Sequence, residues 1–401
     1  MSMKIRAFAG SLALGILAAT SVSAQTVGVT DDSIKIGNTN PYSGPASVYS
    51  VIGKTISKYF ETVNDAGGIN GRKLDFISLD DGYSPPRTVE QVRRLVEREK
   101  VAFLFQTLGT PTNSAVHRYV NAKKVPHLFV ATGASKWGQP KKYPWTMGYQ
   151  PTYDVEGEIY ANYVLENVKD PKIAILFQND DYGKDYRDGF LRGLGDKADS
   201  LVVKMLPYEV TDPTVDAQIL ELAASGANVF FNVTIPKFAA QAIKKSCEIN
   251  WKPLHFLNNV SSSVGATLKP AGLECSKELI TAQYMKDPTD PQWADDEGFK
   301  EWTMWMGKHL PDADTGDVNY AYGYNVAKLM HQMLGDCKDL SRPGIMACAS
   351  SLKDVDLPML LPGIKVNTGA DDFYPIQAEQ LSRFDGEKWV LFGEIIDAGS
   401  K

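Results

Sequence analysis

The chain alternates short apolar runs with amphipathic stretches, and the beat starts at Ile34. A strand opens there, stops in the loop Asn40-Pro41-Tyr42-Ser43-Gly44-Pro45 and feeds a helix; after the turn Asp65-Ala66-Gly67-Gly68-Ile69-Asn70-Gly71 a second strand ends in Asp80-Asp81. The same spacing predicts a helix over 88–98, a strand over 102–105, a helix over 112–122 and a strand over 127–130. A proline- and aromatic-rich passage, 140–151, breaks the rhythm and reads as a crossing segment. Beyond it, helices over 153–167, 182–195, 215–225 and 237–249 interleave with strands over 172–177, 201–206, 229–232 and 254–257. Two further helices, 293–309 and 318–334, carry apolar residues at helical spacing, Phe299, Trp302 and Met306 among them, and read as core. The tail, 376–392, turns at Phe384-Asp385-Gly386-Glu387-Lys388 and reads as a hairpin. Regular alternation of this kind marks an α/β fold with mostly parallel wound sheets.

With 401 residues and 43% hydrophobic composition, the chain holds more material than one small core needs, so two lobes are expected. Lys4 and Arg6, the apolar run 7–19 and Val22-Ser23-Ala24 before Gln25 match the three parts of a secretory signal. The apolar run is short of the ~20 residues that span a bilayer, which favours removal after Ala24 over a membrane anchor. No later stretch is long and apolar enough to span, and no cysteine follows the signal to carry a lipid. Loss of Lys4 and Arg6 moves the net charge from −6 to −8, a balance that argues against nucleic acid.

The four cysteines allow three pairings. Cys337 and Cys348 flank a Pro-Gly loop, Arg342-Pro343-Gly344, so a local bridge there is the simplest choice and leaves Cys247 with Cys275. Four reduced, buried thiols are the alternative, disfavoured by the export signal. No C-x-x-C spacing supports a metal site.

Enzyme signatures are absent: there is no G-x-S-x-G, no G-x-x-x-x-G-K-[ST] and no H-E-x-x-H, and the five histidines are scattered. Gly67-Gly68-Ile69-Asn70-Gly71 follows a helix and precedes a strand, the reverse of a phosphate-cradling loop, and is a turn. Asp80-Asp81 and Asp180-Asp181 sit at strand ends, where short acids serve turns and caps more often than acid/base chemistry. A non-catalytic chain without cofactor or metal is expected. What recurs is a small, polar loop after a strand: Pro41-Tyr42-Ser43-Gly44, Thr107-Leu108-Gly109-Thr110, Ala131-Thr132-Gly133-Ala134, Asn179-Asp180-Asp181-Tyr182-Gly183 and Asn232-Val233-Thr234. Ligands of wound sheets collect at such strand ends.

Tyr42-Ser43-Gly44-Pro45, Gly67-Gly68-Ile69-Asn70-Gly71-Arg72-Lys73-Leu74, Asp80-Asp81, Val125-Pro126 and Asp181-Tyr182-Gly183 together resemble the periplasmic solute-binding proteins of branched-chain amino-acid-type ABC importers. The resemblance implies a type I periplasmic binding protein: two Rossmann-like wound-sheet lobes joined by three hinge crossings, with the last hairpin returning to the second lobe. Lobe I would comprise 25–148 and 283–360, and lobe II 149–282 and 361–401, behind a signal at 1–24. It implies a periplasmic monomer that traps a small organic acid or amino acid by hinge closure and passes it to an inner-membrane ABC permease.

Carried over by position, the pocket falls on Tyr49, on Gly109 and Thr110, and on Ala131, Thr132 and Ala134, which would hold the ligand carboxylate. The opposite lobe would contribute Tyr182, Asn232 and Thr234, the last at a place where an aromatic is common in relatives. Amino-acid binders of this kind place an acid near Leu257-Asn258-Asn259-Val260-Ser261 to pair with the ligand ammonium, and here that position holds Val260. An ammonium buried without a counter-charge costs several kcal/mol. The expected ligand is therefore a carboxylic acid with an apolar or aromatic body. A shifted alignment, or charge supplied by Asp180 or Asp181, would instead restore a branched-chain or other hydrophobic amino acid. A ligand-sensing module and a secreted hydrolase are the rival classes.

Overall fold

The computed structural model describes residues 26–397, so the expected signal at 1–24 lies outside the described residues. The first layer is built from β1 (Ser33–Asn40), α1 (Ser50–Asp65), β2 (Lys73–Asp80), α2 (Pro85–Arg93), β3 (Phe103–Phe105), α3 (Thr110–Ala122) and β4 (His127–Leu128). Its strands form a parallel sheet in the order β2-β1-β3-β4. Helix α1 covers it with Ile52, Ile56, Tyr59, Phe60 and Val63, buried at the three- and four-residue spacing of one helix face.

The second layer follows: α4 (Tyr153–Asn167), β5 (Ile173–Gln178), α5 (Asp181–Leu194), α6 (Ala198–Leu201), β6 (Val202–Tyr208), α7 (Asp216–Ala224), β7 (Val229–Val233), α8 (Pro236–Glu248), β8 (Leu254–Leu257), α9 (Lys269–Ala271) and β9 (Ile280–Gln283). Every residue of β5 is buried, as an interior parallel strand covered on both faces requires. The chain then forms α10 (Glu297–His309), α11 (Val318–Asp336), α12 (Arg342–Ala349), β10 (Ala378–Phe384), β11 (Trp389–Leu391) and β12 (Ile396–Asp397). The second sheet runs β11-β10-β9-β8-β7-β5-β6, with β12 on β10; β5 to β9 are parallel and β10 returns antiparallel, Gln380 opposite Gln283.

Helices α11 and α12 belong with the first sheet. A Cβ on Gly323 of α11 would lie 2.9 Å from the Cβ of Thr55 on α1, and the Arg342 guanidinium donates to the carbonyls of Ala102 and Val101. The chain thus passes between the layers three times, after β4, after β9 and after α12, and its final hairpin completes the second sheet. Among the described residues no helix is long and apolar enough to cross a membrane.

The structure changes several sequence expectations. Arg342-Pro343-Gly344 is the first turn of α12 and not a loop: Ser341 Oγ accepts the Gly344 N–H, and proline in a first turn has no donor to lose. The disulfide pairing is the expected one: Cys337–Cys348, joining the ends of α11 and α12, and Cys247–Cys275. The strand expected over 127–130 stops at Leu128 because Phe129 takes a positive φ of 51°. Trp293 lies in a separate turn, and α10 starts only where the Asp296 carboxylate accepts the Phe299 N–H. Helix 88–98 ends as α2, its last turn widened at Arg94–Arg98. Strand β9 carries four buried residues that were not assigned from the sequence.

Candidate functional site

The carboxyl ends of the two sheets face one another across a cleft of about 670 Å³, its open mouth included. Tyr49, Tyr83, Leu108, Gly109, Thr110 and Ala131 form the first-lobe wall. Tyr182, Ile235, Asn259, Val260 and Ser262 face them from the second lobe. Gln150, Tyr153 and the Gln283-Tyr284-Met285 crossing form the back, and Val318, Asn319 and Tyr322 of α11 close the side. Six tyrosines are in this lining, and among the described residues that form it none is charged.

Each wall is fixed by local chemistry. Asp80 accepts the amides of Tyr42, Ser43 and Gly82 and the Ser43 hydroxyl, tying the loop after β1 to the end of β2. Burial pushes its pKa up, but these bonds and Arg87 outweigh it and hold the carboxyl below its ordinary value. Asp81 accepts the Tyr83 amide and the Thr88 hydroxyl, which places the Tyr83 ring in the cleft. Gly109 sits at φ +101°, and a Cβ there would lie 2.5 Å from the Tyr83 ring; only glycine meets both conditions.

Thr132 Oγ accepts the Ala134 amide at 3.2 Å and the Trp137 indole N–H at 3.4 Å. Thr132 Oγ also shares a 2.6 Å hydrogen bond with Thr110 Oγ in which either hydroxyl can donate, and when Thr132 donates the Thr110 O–H is available to a ligand. Thr110 lies on the cleft wall at the start of α3, where unpaired N–H groups and the positive helix end also favour an anion.

On the second lobe, Asp180 caps α5 by accepting the amides of Tyr182 and Gly183. The Tyr182 hydroxyl accepts the Asn258 side-chain amide at 2.8 Å, and its ring packs edge-on to Tyr153 at 5.3 Å. Tyr49 reaches across the cleft and donates its hydroxyl to the Val260 carbonyl at 2.8 Å. Burial raises the pKa of Tyr49, Tyr83 and Tyr182 well above the ordinary phenol value, so these rings meet a ligand as neutral groups.

The acids near the cleft are already engaged. Asp180 is the α5 cap, and Asp181 points away to the Ser114 hydroxyl and the Lys136 ammonium. Asp317 accepts the Ser263 hydroxyl and both N–H groups of Asn319 behind the cleft wall. Deeper in the second lobe, Glu156 accepts the Tyr160 and Tyr186 hydroxyls and the Asn259 amide, and burial pushes it up to about 7. Nearby Glu379 is buried with neither carboxyl oxygen paired. The buried histidines are structural: His127 contacts the Thr107 hydroxyl and His255 the Asn232 amide, and desolvation lowers both to about 3.

Of the residues expected from the sequence, Tyr49, Gly109, Thr110, Ala131, Tyr182 and Val260 meet at the cleft. Thr132, Ala134, Asn232 and Thr234 are buried one layer behind it. Thr132 and Ala134 brace the Thr110 loop, while Thr234 donates to Asn232 and takes the Asn258 side chain on its amide. Sequence reading did not place Tyr83, Gln150, Tyr153, Asn259, Ser262, Gln283, Tyr284, Val318, Asn319 or Tyr322 in the lining. Tyr83 lies two positions beyond Asp80-Asp81, a strand end already marked, and was the one within reach.

Residues 33–386 match the family model described as periplasmic binding protein. An amino acid binding protein of Pseudomonas aeruginosa is 26% identical over 227 residues, 55% of this chain and 58% of that protein. The chain spans about half the length of the curated relatives it matches, 58% and 53% for two of them. Among solved structures, a fatty acid ABC transporter substrate-binding protein from Thermomonospora curvata superposes with a TM-score of 0.78 at 21% identity, over 93% of this chain and 95% of that one. A branched chain amino acid ABC transporter from Thermus thermophilus with bound valine gives a TM-score of 0.80 at 13% identity, over 92% and 98%.

Proposed function

The chain belongs to the periplasmic binding protein family, and on that premise we propose that it captures a small carboxylic acid with an apolar or aromatic body between its lobes and delivers it to an inner-membrane ABC permease. The observation that carries the ligand class is a cleft lined by six tyrosines and no charged side chain. A carboxylate is served there by neutral donors, the Thr110 hydroxyl and the start of α3. An ammonium would meet no counter-charge on the wall, at a cost of several kcal/mol. The tyrosine faces suit a planar or branched apolar body. The names of the fold neighbours cover both a fatty acid and valine, so the fold leaves the ligand open and the uncharged lining of the cleft is what supports a carboxylic acid.

We take the lobe boundaries at 148/149, 282/283 and 360/361, a reading supported by three passages of the chain between the sheets. Closure over the solute desolvates its carboxylate and completes its hydrogen bonds, and binding favours the closed arrangement by that difference.

A thermal-shift panel tests the ligand class, since a ligand that binds only the folded chain raises its melting temperature. Cinnamate, benzoate and branched fatty acids are expected to stabilise the protein more than leucine or valine at equal concentration. Leucine giving the larger shift would replace this reading with a second one, a hydrophobic amino acid. The names of the curated relatives favour that alternative, with Asp317 behind Asn319 as the acid an ammonium would draw on.

A further inference from the structure

The two lobes touch outside the cleft as well as around it. On one flank, helix α5 of the second lobe presents Asp181 and Asp185, one turn apart, to the first lobe. The Asp185 carboxylate accepts the Ser135 amide at 2.7 Å and the Ser135 hydroxyl at 2.8 Å. Asp181 accepts the Lys136 ammonium at 2.6 Å and the Ser114 hydroxyl at 3.0 Å. Tyr374, from the segment that leads into β10, donates to the Ser135 carbonyl at 2.6 Å. A Cβ on Gly138 would stand 2.0 Å from the Tyr374 ring, so the approach depends on that glycine. Among the described residues that line the cleft, none belongs to this group.

We infer that Asp185, assisted by Asp181, is an affinity-determining residue outside the cleft: it clasps Ser135 only when the lobes are together and so sets the population of the closed form. The inference rests on reading the two lobes as a solute trap. Its physical basis is that apparent affinity scales with the fraction of molecules competent to hold the ligand, so a contact made only in the closed form changes affinity without touching the ligand. The two acids differ in weight. The Lys136–Asp181 pair is partly exposed, with side-chain exposures of 25% and 56%, and solvent screens it. Asp185 is more enclosed and takes two charge-assisted bonds from one residue, the stronger arrangement.

Calorimetric titration with cinnamate and hydrogen exchange of the ligand-free protein test this together. Asp185→Ala is expected to raise the Kd for cinnamate about tenfold or more, and Asp181→Asn about threefold or less. Ser135→Ala, which keeps the amide bond and loses the hydroxyl bond, should fall between wild type and Asp185→Ala. Adding it to Asp185→Ala should cost nothing further, because the partner is already gone. At saturating cinnamate, scattering should show Asp185→Ala reaching the compact dimensions of wild type, which a damaged fold would not. Without ligand, the Gly265 amide, held by the Gly316 carbonyl on the opposite flank, should exchange faster in Asp185→Ala than in wild type, since the substitution touches it only through the closed population. Unchanged Kd in Asp185→Ala and Ser135→Ala, or unchanged exchange at Gly265, overturns the clasp. Failure of wild type to bind cinnamate would instead refute the ligand class, and the exchange comparison would then decide the clasp alone.

Discussion

Tyr49 and Val260 meet across the cleft, and the contact depends on one hydroxyl and one backbone carbonyl. Because the bond uses the Val260 main chain, the side chain at 260 is free to set what the cleft accepts. Val260→Glu should therefore create an ammonium partner, and leucine is expected to stabilise this variant more than it stabilises the parent in a thermal-shift assay. No gain for leucine would remove position 260 from ligand selection. Gly109→Ala brings a Cβ against Tyr83 at a φ that favours glycine. It should destabilise the protein by about 1–3 kcal/mol in urea unfolding and weaken cinnamate binding; a neutral result would contradict the glycine's role. Burial raises Glu379 well above the ordinary carboxyl range, and the charge of Glu156 adds to this. Above roughly pH 4.3 the unfolded chain has released this proton while the fold retains it, so stability falls as pH rises towards the folded pKa. In Glu379→Gln that loss disappears, and the stability of the variant relative to wild type should improve from pH 5 to pH 8. An equal difference at both would show that Glu379 does not titrate abnormally. At this scale the loops that hold Gly109, Thr110 and Tyr182 were legible locally as βα loops, whereas Tyr49, beyond the end of β1, was placed by the family resemblance alone. Gln150 and Tyr284 lie in crossings, and Tyr153 and Gln283 at element ends beside them, whose positions depend on the packed lobes. Thr132 and Asn232 share the polarity of binding residues but are already engaged, Thr132 by Ala134 and Thr110 and Asn232 by Thr234 and His255.

Most helices and strands were legible because their apolar spacing is long and regular: α4 runs Tyr153–Asn167 and β8 Leu254–Leu257, as the pattern indicates. The misses have local causes. Proline at a first turn imitated a loop at α12, and β9, Ile280-Thr281-Ala282-Gln283, carries two polar residues among its four and lacks the apolar run that marks β8. The disulfides act on elements in turn. Cys247–Cys275 ties α8 to the turn before β9 across 28 residues, and Cys337–Cys348 spans 11. Loop-closure entropy then assigns about 3.6 kcal/mol to the longer bridge and about 2.8 kcal/mol to the shorter. Replacing each pair by serine should lower stability in urea unfolding in that order. A larger loss at Cys337–Cys348 would mean that packing between α11 and α12 matters more than chain entropy.

For the whole molecule, two mostly parallel sheets aim their carboxyl ends at a shared gap, and the chain passes between them three times behind it. The seams on the two flanks use the same kinds of contact, serine hydroxyls on aspartates, a Lys–Asp pair and a backbone amide. One joins Asp181 and Asp185 to Ser114, Ser135 and Lys136. The other sets the Ser263 hydroxyl on Asp317, the Gly265 amide on the Gly316 carbonyl and Lys269 beside Asp314. Between them lies the uncharged tyrosine-lined space. The decisive measurement is a crystal structure grown with the most stabilising acid of the panel. Its density is expected between Tyr49 and Tyr182, with a carboxylate oxygen within hydrogen-bonding distance of Thr110 and no cationic group on the ligand. Density for that acid at another surface with the gap left unfilled, or an amine paired with Asp317, would contradict it.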